Sequence, residues 1–172
     1  MLRLSVFLSL VFAFSSCMTI GYEVSQPAGK KSLKEFPEAF LGVYDDEPLG
    51  RDTELVILSH SVFLDGDDEL NQGELFLSDS LVLKKFRGFY IVSYWDKEMG
   101  TWMIYPFKSN GGQLQVYNLD VKKESAASQL SAFTPIVRQE PDLLVINPSR
   151  KELKKMLSEP ELWEVQILYR RQ

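Results

Sequence analysis

From residue 36 onward, apolar and polar residues alternate with a period of two over most of the chain. This period is typical of half-buried β-strands, because successive side chains of a strand point to opposite faces of its sheet. Residues 89–95 carry the strongest such pattern and are apolar on both sides, so we expect both faces of this strand to be covered. The predicted strands begin at residue 41 and continue with 55–58, 62–64, 75–77, 81–83, 89–95, 101–107, 113–119, 143–146 and 164–170.

Turn residues separate these strands. Residues 110–112 (Asn-Gly-Gly) predict a tight hairpin, because adjacent positions with positive φ favour Asn and Gly. In the last strand Val165, Ile167 and Tyr169 share one face, which we expect to point inward. Residues 124–131 fit either a helix or an ordered loop.

One helix is predicted directly before the last strand. Ser149 can cap its first turn, and Glu152 stands three residues later, as in a capping box. Leu153, Met156 and Leu157 then share one face, which is the spacing of a helix that packs on a core.

Many short strands joined by tight turns favour a barrel or a sandwich. Phe40-Leu41-Gly42-Val43-Tyr44 resembles the Gly-x-Trp start of the lipocalin-like class of small barrels, with Tyr in place of Trp. The resemblance implies a mostly β fold: an antiparallel meander barrel with one helix before the last strand. The alternative is an open sheet or sandwich with a packed helix.

The first residues have the pattern of a secretory signal. Arg3 provides a positive charge, residues 4–14 are apolar apart from two serines, and the small residues Ser15 and Ser16 precede Cys17. The apolar run of about a dozen residues is too short for the ~20 that cross a bilayer.

A cysteine directly after this pattern resembles the lipobox of bacterial lipoproteins, although Phe14 stands where the usual lipobox has Leu. The resemblance implies that Cys17 carries fatty-acyl chains such as palmitate and anchors the protein to a membrane. Cys17 is the only cysteine of the chain, so no internal disulfide can form. Because Met18 is not the Asp that resembles an inner-membrane retention signal, we expect the outer membrane, on a side that the sequence leaves open.

Three segments follow from this interpretation. Residues 1–16 are expected to be the signal peptide, 17–35 a lipidated N-terminus and tether, and 36–172 a single β-rich domain. The tether is expected because Gly, Pro, Ser and Lys are mixed there with few periodic apolar residues.

Charge argues against nucleic acid as a partner. The chain of 172 residues has a formal net charge of −5, and removal of the signal segment takes away one further positive charge, that of Arg3. Phosphate binding requires a basic surface, which this composition does not favour.

The sequence offers little catalytic chemistry. His60 is the only histidine, so a metal site that needs several histidines is excluded by count. The acidic residues between 65 and 74 suggest calcium, but Leu70 stands where an EF-hand loop needs Gly, and a solvated turn is the preferred interpretation. We therefore expect no enzyme activity, no metal and no cofactor.

Aromatic residues crowd one predicted hairpin, between residues 86 and 107. They can form a packed core, or they can line a pocket or a contact face. The candidate ligand-binding residues are Tyr94, Trp95, Trp102 and Tyr105. Two functions stay open: a binding domain for a small apolar ligand or a peptide, and a structural or assembly partner that docks another envelope protein.

Overall fold

The computed structural model describes residues 18–45, 54–65, 73–122 and 124–171. Cys17 and the segment expected to be a signal peptide lie outside the described residues, as do most of the acidic residues between 65 and 74 that were considered for calcium. The strands are β1 (Thr19–Tyr22), β2 (Gly42–Asp45), β3 (Glu54–Ile57), β4 (Ser61–Asp65), β5 (Leu75–Phe76), β6 (Leu81–Phe86), β7 (Phe89–Asp96), β8 (Thr101–Asn110), β9 (Gln113–Leu119), β10 (Ile136–Gln139), β11 (Leu143–Ile146) and β12 (Trp163–Arg170). The helices are α1 (Ala126–Ser131) and α2 (Arg150–Leu157), with short 3-10 turns at Glu38–Phe40 and Pro160–Leu162.

The helix predicted before the last strand is confirmed as α2. The Ser149 hydroxyl accepts a hydrogen bond from the Glu152 amide at 3.3 Å, and the Ser149 amide donates to the Glu152 carboxylate at 2.7 Å. The hydrogen bond from the Ser149 amide holds the pKa of Glu152 below its usual value. Leu153 and Met156 are fully buried, as their spacing predicts. No helix in the described part of the chain has the length and apolarity of a membrane-spanning segment.

A branch at β8 organises the sheet. One edge of β8 pairs with β7, which pairs in turn with β6. The other edge meets β1 at Trp102 and β9 from Phe107 to Asn110. From this branch one wing runs β1-β11-β10 and the other runs β9-β12-β2-β3-β4-β5.

The mostly β prediction is confirmed, but the described strands form one mixed, open sheet and not a closed meander barrel. The physical reason is the wing that begins with β1. β1 runs parallel to β11 and antiparallel to β8, so the sheet continues sideways at the position where a meander would close.

Two apolar clusters cover the two faces of β6-β7-β8. Successive side chains of a strand point to opposite faces, so Phe89 and Ile91 lie on one side of β7 and Tyr90 and Val92 on the other. The first cluster includes residues of β1, β11 and both helices, and the second, on the opposite face, includes residues of β2, β3, β9 and β12. The prediction that both faces of residues 89–95 are covered is confirmed.

The expected tether is wrong for residues 19 onward. Thr19–Tyr22 forms β1 in the sheet, where Ile20 and Tyr22 are buried in the first cluster. The chain then crosses the face of β6 and β7, where the Gln26 amide donates to the Ser93 hydroxyl at 3.1 Å. The polar composition of this segment suggested a solvated tether, but its polar groups form hydrogen bonds to the domain.

A buried lysine fastens the same segment. The Lys84 ammonium donates to the Ser25 carbonyl and hydroxyl, both at 2.9 Å, and to the Pro27 carbonyl at 3.2 Å. Further along, Leu33 pairs with Leu83 at the outer edge of β6. Residues 23–33 thus form an arm across the sheet, and this arm belongs to the domain.

The inward face predicted for the last strand is also wrong. Leu168 of β12 is 5% exposed and packs in the second cluster, whereas Val165 and Tyr169 are 42% and 40% exposed. Arg170 lies on the same face as Leu168, and its guanidinium donates to the Tyr44 hydroxyl at 3.0 Å and to the Ala39 carbonyl at 2.7 Å. An arginine can lie on the face of the second cluster because these acceptors satisfy its guanidinium there.

Gly21 provides a direct test of β1. A Cβ added at Gly21 would lie 2.4 Å from the Thr101 hydroxyl oxygen, far inside contact distance. We expect Gly21→Ala to lower the free energy of unfolding by about 1–3 kcal/mol through overpacking. Denaturant unfolding of the purified protein measures this effect.

Thr101→Ala is the matched control, because it removes two of the three atoms that the new methyl group would meet. Gly21→Ala should therefore cost less stability in the Thr101→Ala background than in the wild-type protein. An unchanged stability for Gly21→Ala would show that residues 19–22 are not held in the sheet.

Candidate binding groove

Trp95 and Trp102 form an open surface depression at one end of the β7-β8 pair. The two residues are directly opposite in the strand register, and their rings meet edge to face, with centroids 5.5 Å apart and planes at 61°. Ser78, Asp79 and Ser80 complete the lining of a depression of about 560 Å³. We call this depression the Trp groove.

The polar wall of the Trp groove is a structured turn. The Ser78 hydroxyl accepts from the amides of Ser80 at 3.2 Å and of Leu81 at 3.3 Å. The Trp95 amide donates to the Ser80 carbonyl at 2.8 Å, so the main chain joins this turn to the aromatic wall. Asp79 and the two serine hydroxyls therefore stand at fixed positions beside the indole rings.

The turn that joins β7 to β8 is also held in place. The Asp96 carboxylate accepts from the amides of Glu98 at 2.9 Å and Met99 at 3.0 Å. The Arg138 guanidinium, from β10, donates to the Met99 carbonyl at 2.6 Å. The wing that contains β10 thus supports the end of the hairpin that carries the two tryptophans.

The four aromatic residues predicted to bind a ligand do not form one site. Trp95 and Trp102 lie on the face of the first cluster, and Tyr94 and Tyr105 lie on the opposite face. The pKa of Tyr105 is raised, first by burial of its phenol and then by Asp96 and Tyr94. Only the tryptophan half of the predicted set lines the Trp groove.

The polar half of the groove, Ser78 to Ser80, was not predicted from the sequence. Ser78-Asp79-Ser80 has the composition of a turn between two strands, which is the one signal that could have found it. This turn is far from Trp95 and Trp102 in the sequence. The pairing of β6 with β7 brings it to them, and that pairing is not visible in the local sequence pattern.

The groove combines two kinds of contact. Two indole rings offer apolar faces to a ligand, while hydroxyl groups and one carboxylate offer hydrogen-bond partners along one side. Within the described residues no group of three His, Cys, Asp or Glu side chains is placed to hold a metal ion. His60 lies elsewhere, near the arm, where its Nδ1 is 3.0 Å from the Lys34 carbonyl oxygen.

Comparison with protein-family models, with curated proteins and with solved structures finds no match for this chain.

Tyr22 lies opposite Trp102 in the sheet and is 1% exposed. Its hydroxyl has no hydrogen-bond partner among the described residues. Burial raises the pKa of this phenol above its ordinary value of 10.0. A buried hydroxyl without a partner is unfavourable in the folded protein, and its ionised form is more so.

We therefore expect Tyr22→Phe to increase the free energy of unfolding by about 1 kcal/mol at neutral pH, since it removes an unsatisfied polar group. The raised pKa gives the pH dependence. Above pH 10 the unfolded chain releases the Tyr22 proton while the folded protein keeps it, so wild-type stability falls as the pH rises. The advantage of the variant should grow above that pH.

Denaturant unfolding of both proteins over the range from neutral to alkaline pH measures the difference. Comparing the two proteins cancels the titration of the other tyrosines. A variant less stable than wild type would mean that the Tyr22 hydroxyl has a hydrogen-bond partner in solution.

Proposed function

We propose that the protein is a membrane-anchored envelope lipoprotein whose domain is a non-catalytic binding module, and that the Trp groove is its binding site. The observation that carries this proposal is the edge-to-face pair of Trp95 and Trp102 beside a fixed polar turn, in an open depression of about 560 Å³. Rigid aromatic side chains with adjacent polar groups are common features of binding sites.

The shape of the groove favours a peptide over an enclosed small ligand. The depression is open to solvent along one side, and its lining comes from two neighbouring turns and strands. An extended peptide can lay apolar side chains, such as proline or leucine, on the indole rings and donate its amides to Asp79. We therefore propose a peptide segment with apolar residues as the ligand class.

The membrane part of the proposal rests on the N-terminal sequence. A positive residue, an apolar run, small residues and a single cysteine occur in the order that lipoprotein signals have. Two or more acyl chains on Cys17 would give stable anchoring, because each buried CH₂ contributes about 0.8 kcal/mol.

A second candidate function is docking of another envelope protein. The face of β12 and β2–β4 opposite Leu168 presents Val165, Ile167 and Tyr169 beside Val43 and Phe63, each of them exposed or half-buried. A row of apolar side chains on the solvent side of a sheet favours a protein interface. Alanine substitution of Val165 and Tyr169 should disrupt such an interface without affecting the Trp groove.

The groove can be tested with tryptophan fluorescence. Trp163 is buried and donates from its ring nitrogen to the Met156 carbonyl, so Trp163→Phe leaves all the indole emission in the groove. In this background a short peptide of alternating proline and leucine should shift the emission in a saturable way. Trp102→Ala should weaken binding by at least about tenfold, equivalent to ~1.4 kcal/mol.

Tyr94→Ala is the matched control, because Tyr94 neighbours Trp95 in sequence but lies on the opposite face of the sheet. This variant should bind the peptide as wild type does. A peptide in which serine replaces leucine should give no shift. If Tyr94→Ala and Trp102→Ala weaken binding equally, or if no apolar peptide or fatty acid binds, the Trp groove is not the site.

Cys17→Ser tests the anchor. Cells supplied with radiolabelled palmitate should incorporate label into the wild-type protein and not into the variant, because the variant lacks the thiol that is acylated. Isolation of both proteins and measurement of the bound label gives the result. Equal label in the two proteins would contradict anchoring through Cys17.

A further inference from the structure

The tip of the β6-β7 hairpin carries positive charge in an acidic protein. The chain has a formal net charge of −5. Nevertheless Lys85 and Arg87 lie at this tip. Lys108 of β8 is adjacent, because the register of β7 and β8 places it opposite Phe89. Lys30 of the arm also reaches the tip, where its ammonium lies 5.9 Å from the centroid of the Phe86 ring. We call these four residues the basic tip.

Aromatic rings hold the lysines of the basic tip. The Lys108 ammonium lies 3.7 Å from the centroid of Phe89, and the Lys85 ammonium lies 5.0 Å from that of Tyr90. A ring fixes a cation without neutralising it, because it contributes no formal charge. Within the described residues no carboxylate forms an ion pair with any of the four cations. Lys30, Lys85 and Arg87 are exposed and Lys108 is half-buried, so their charge is available to a partner.

The backbone at Arg87 supplies an independent observation. Arg87 has a φ of +52° in the two-residue turn that it forms with Gly88. This left-handed conformation costs a residue with a side chain about 1–2 kcal/mol relative to Gly. The two-residue hairpin between β8 and β9 has glycine at both positions. An arginine that occupies an unfavourable backbone position at an exposed tip is a sign of function.

The direction of β1 identifies the surface that the basic tip can meet. Tyr22 pairs antiparallel with Trp102, so moving back along β1 toward Thr19 follows β8 toward Phe107, which is the end where the hairpin tip lies. The chain therefore enters the sheet at the end that carries the basic tip. At the same end of the β1-β11-β10 wing, Glu140 is paired with Arg138 at 3.3 Å and Asp142 is engaged in a contact of its own.

We propose that the basic tip rests on the anionic headgroups of the membrane to which the protein is anchored, and so fixes the orientation of the domain. This inference rests on the proposed lipid anchor at Cys17, one residue before Met18. Lysine and arginine near an anionic membrane are attracted to its surface, and the attraction falls off within a Debye length. The Trp groove then lies at the opposite end of the β7-β8 pair and faces away from the membrane.

Lysine labelling of the full acylated protein tests the proposal. The protein is inserted into vesicles of phosphatidylcholine alone, or of equal parts phosphatidylcholine and phosphatidylglycerol, and acetylated with an amine-reactive reagent. Mass spectrometry then gives the labelling rate of each lysine. On anionic vesicles Lys30, Lys85 and Lys108 should react at least about threefold more slowly than on neutral vesicles, and 1 M salt, with a Debye length of ~3 Å, should abolish this protection.

Lys97 is the internal control, because it is exposed in the turn at the other end of the β7-β8 hairpin. Its rate should be the same on both vesicle types. Arg87→Gly is the control for folding. It removes the cation, and glycine adopts the positive φ of this position without the energetic cost. This variant should be at least as stable as wild type and should show weaker protection of Lys85.

Equal labelling of the tip lysines on the two vesicle types would overturn the proposal and would favour an acidic protein as the partner of the basic tip. Protection of Lys97 equal to that of Lys85 would overturn the proposed orientation. The mass of the N-terminal peptide from the same sample reports whether Cys17 is acylated, so failure of the anchor is seen separately. If it is not acylated, the same comparison on freely mixed vesicles at 0.01 M salt, where the Debye length is ~30 Å, still tests the tip.

Discussion

Main-chain hydrogen bonds along β8 hold the two wings of the sheet together. One edge of this ten-residue strand is paired with β7, and the other edge is shared between β1 and β9. The close approach of β1 is possible only because Gly21 leaves room for Thr101, whose hydroxyl donates to the Tyr22 carbonyl at 2.9 Å. The first apolar cluster, the arm and the Trp groove all depend on this junction, because each is built from residues that it brings together.

Local signals predicted the local structure well. The capping box at Ser149 and the Gly-Gly hairpin after Asn110 are found as expected, because a few neighbouring residues determine a helix start or a tight turn. Long-range pairing was not predictable in the same way. β1 was expected to be part of a tether, since its four residues are too few for a clear pattern and lie in a segment rich in Gly, Pro, Ser and Lys. Only its position between β11 and β8 makes it a strand.

The face of β12 and the composition of the groove show the same limit. Both sides of β12 carry large apolar residues, so the alternation of Val165 and Tyr169 was no guide to which side is buried. The hydrogen bonds of Arg170 to Tyr44 and Ala39 place its side, which it shares with Leu168, against the second cluster. Similarly, aromatic crowding identified Trp95 and Trp102, but the strand register alone separates them from Tyr94 and Tyr105 and brings Asp79 to them.

The parallel pairing of β1 with β11 has a consequence for the order of folding. Thr19 pairs with Leu143, so residues from nearly opposite ends of the chain must meet before this wing of the sheet can form. During synthesis β1 is made before β8 and β11, and it stays without these partners until they have been made. Contacts between such distant residues slow folding, because a long loop must close before they are made. β1 thus precedes the other described strands in the sequence but is completed among the last of them.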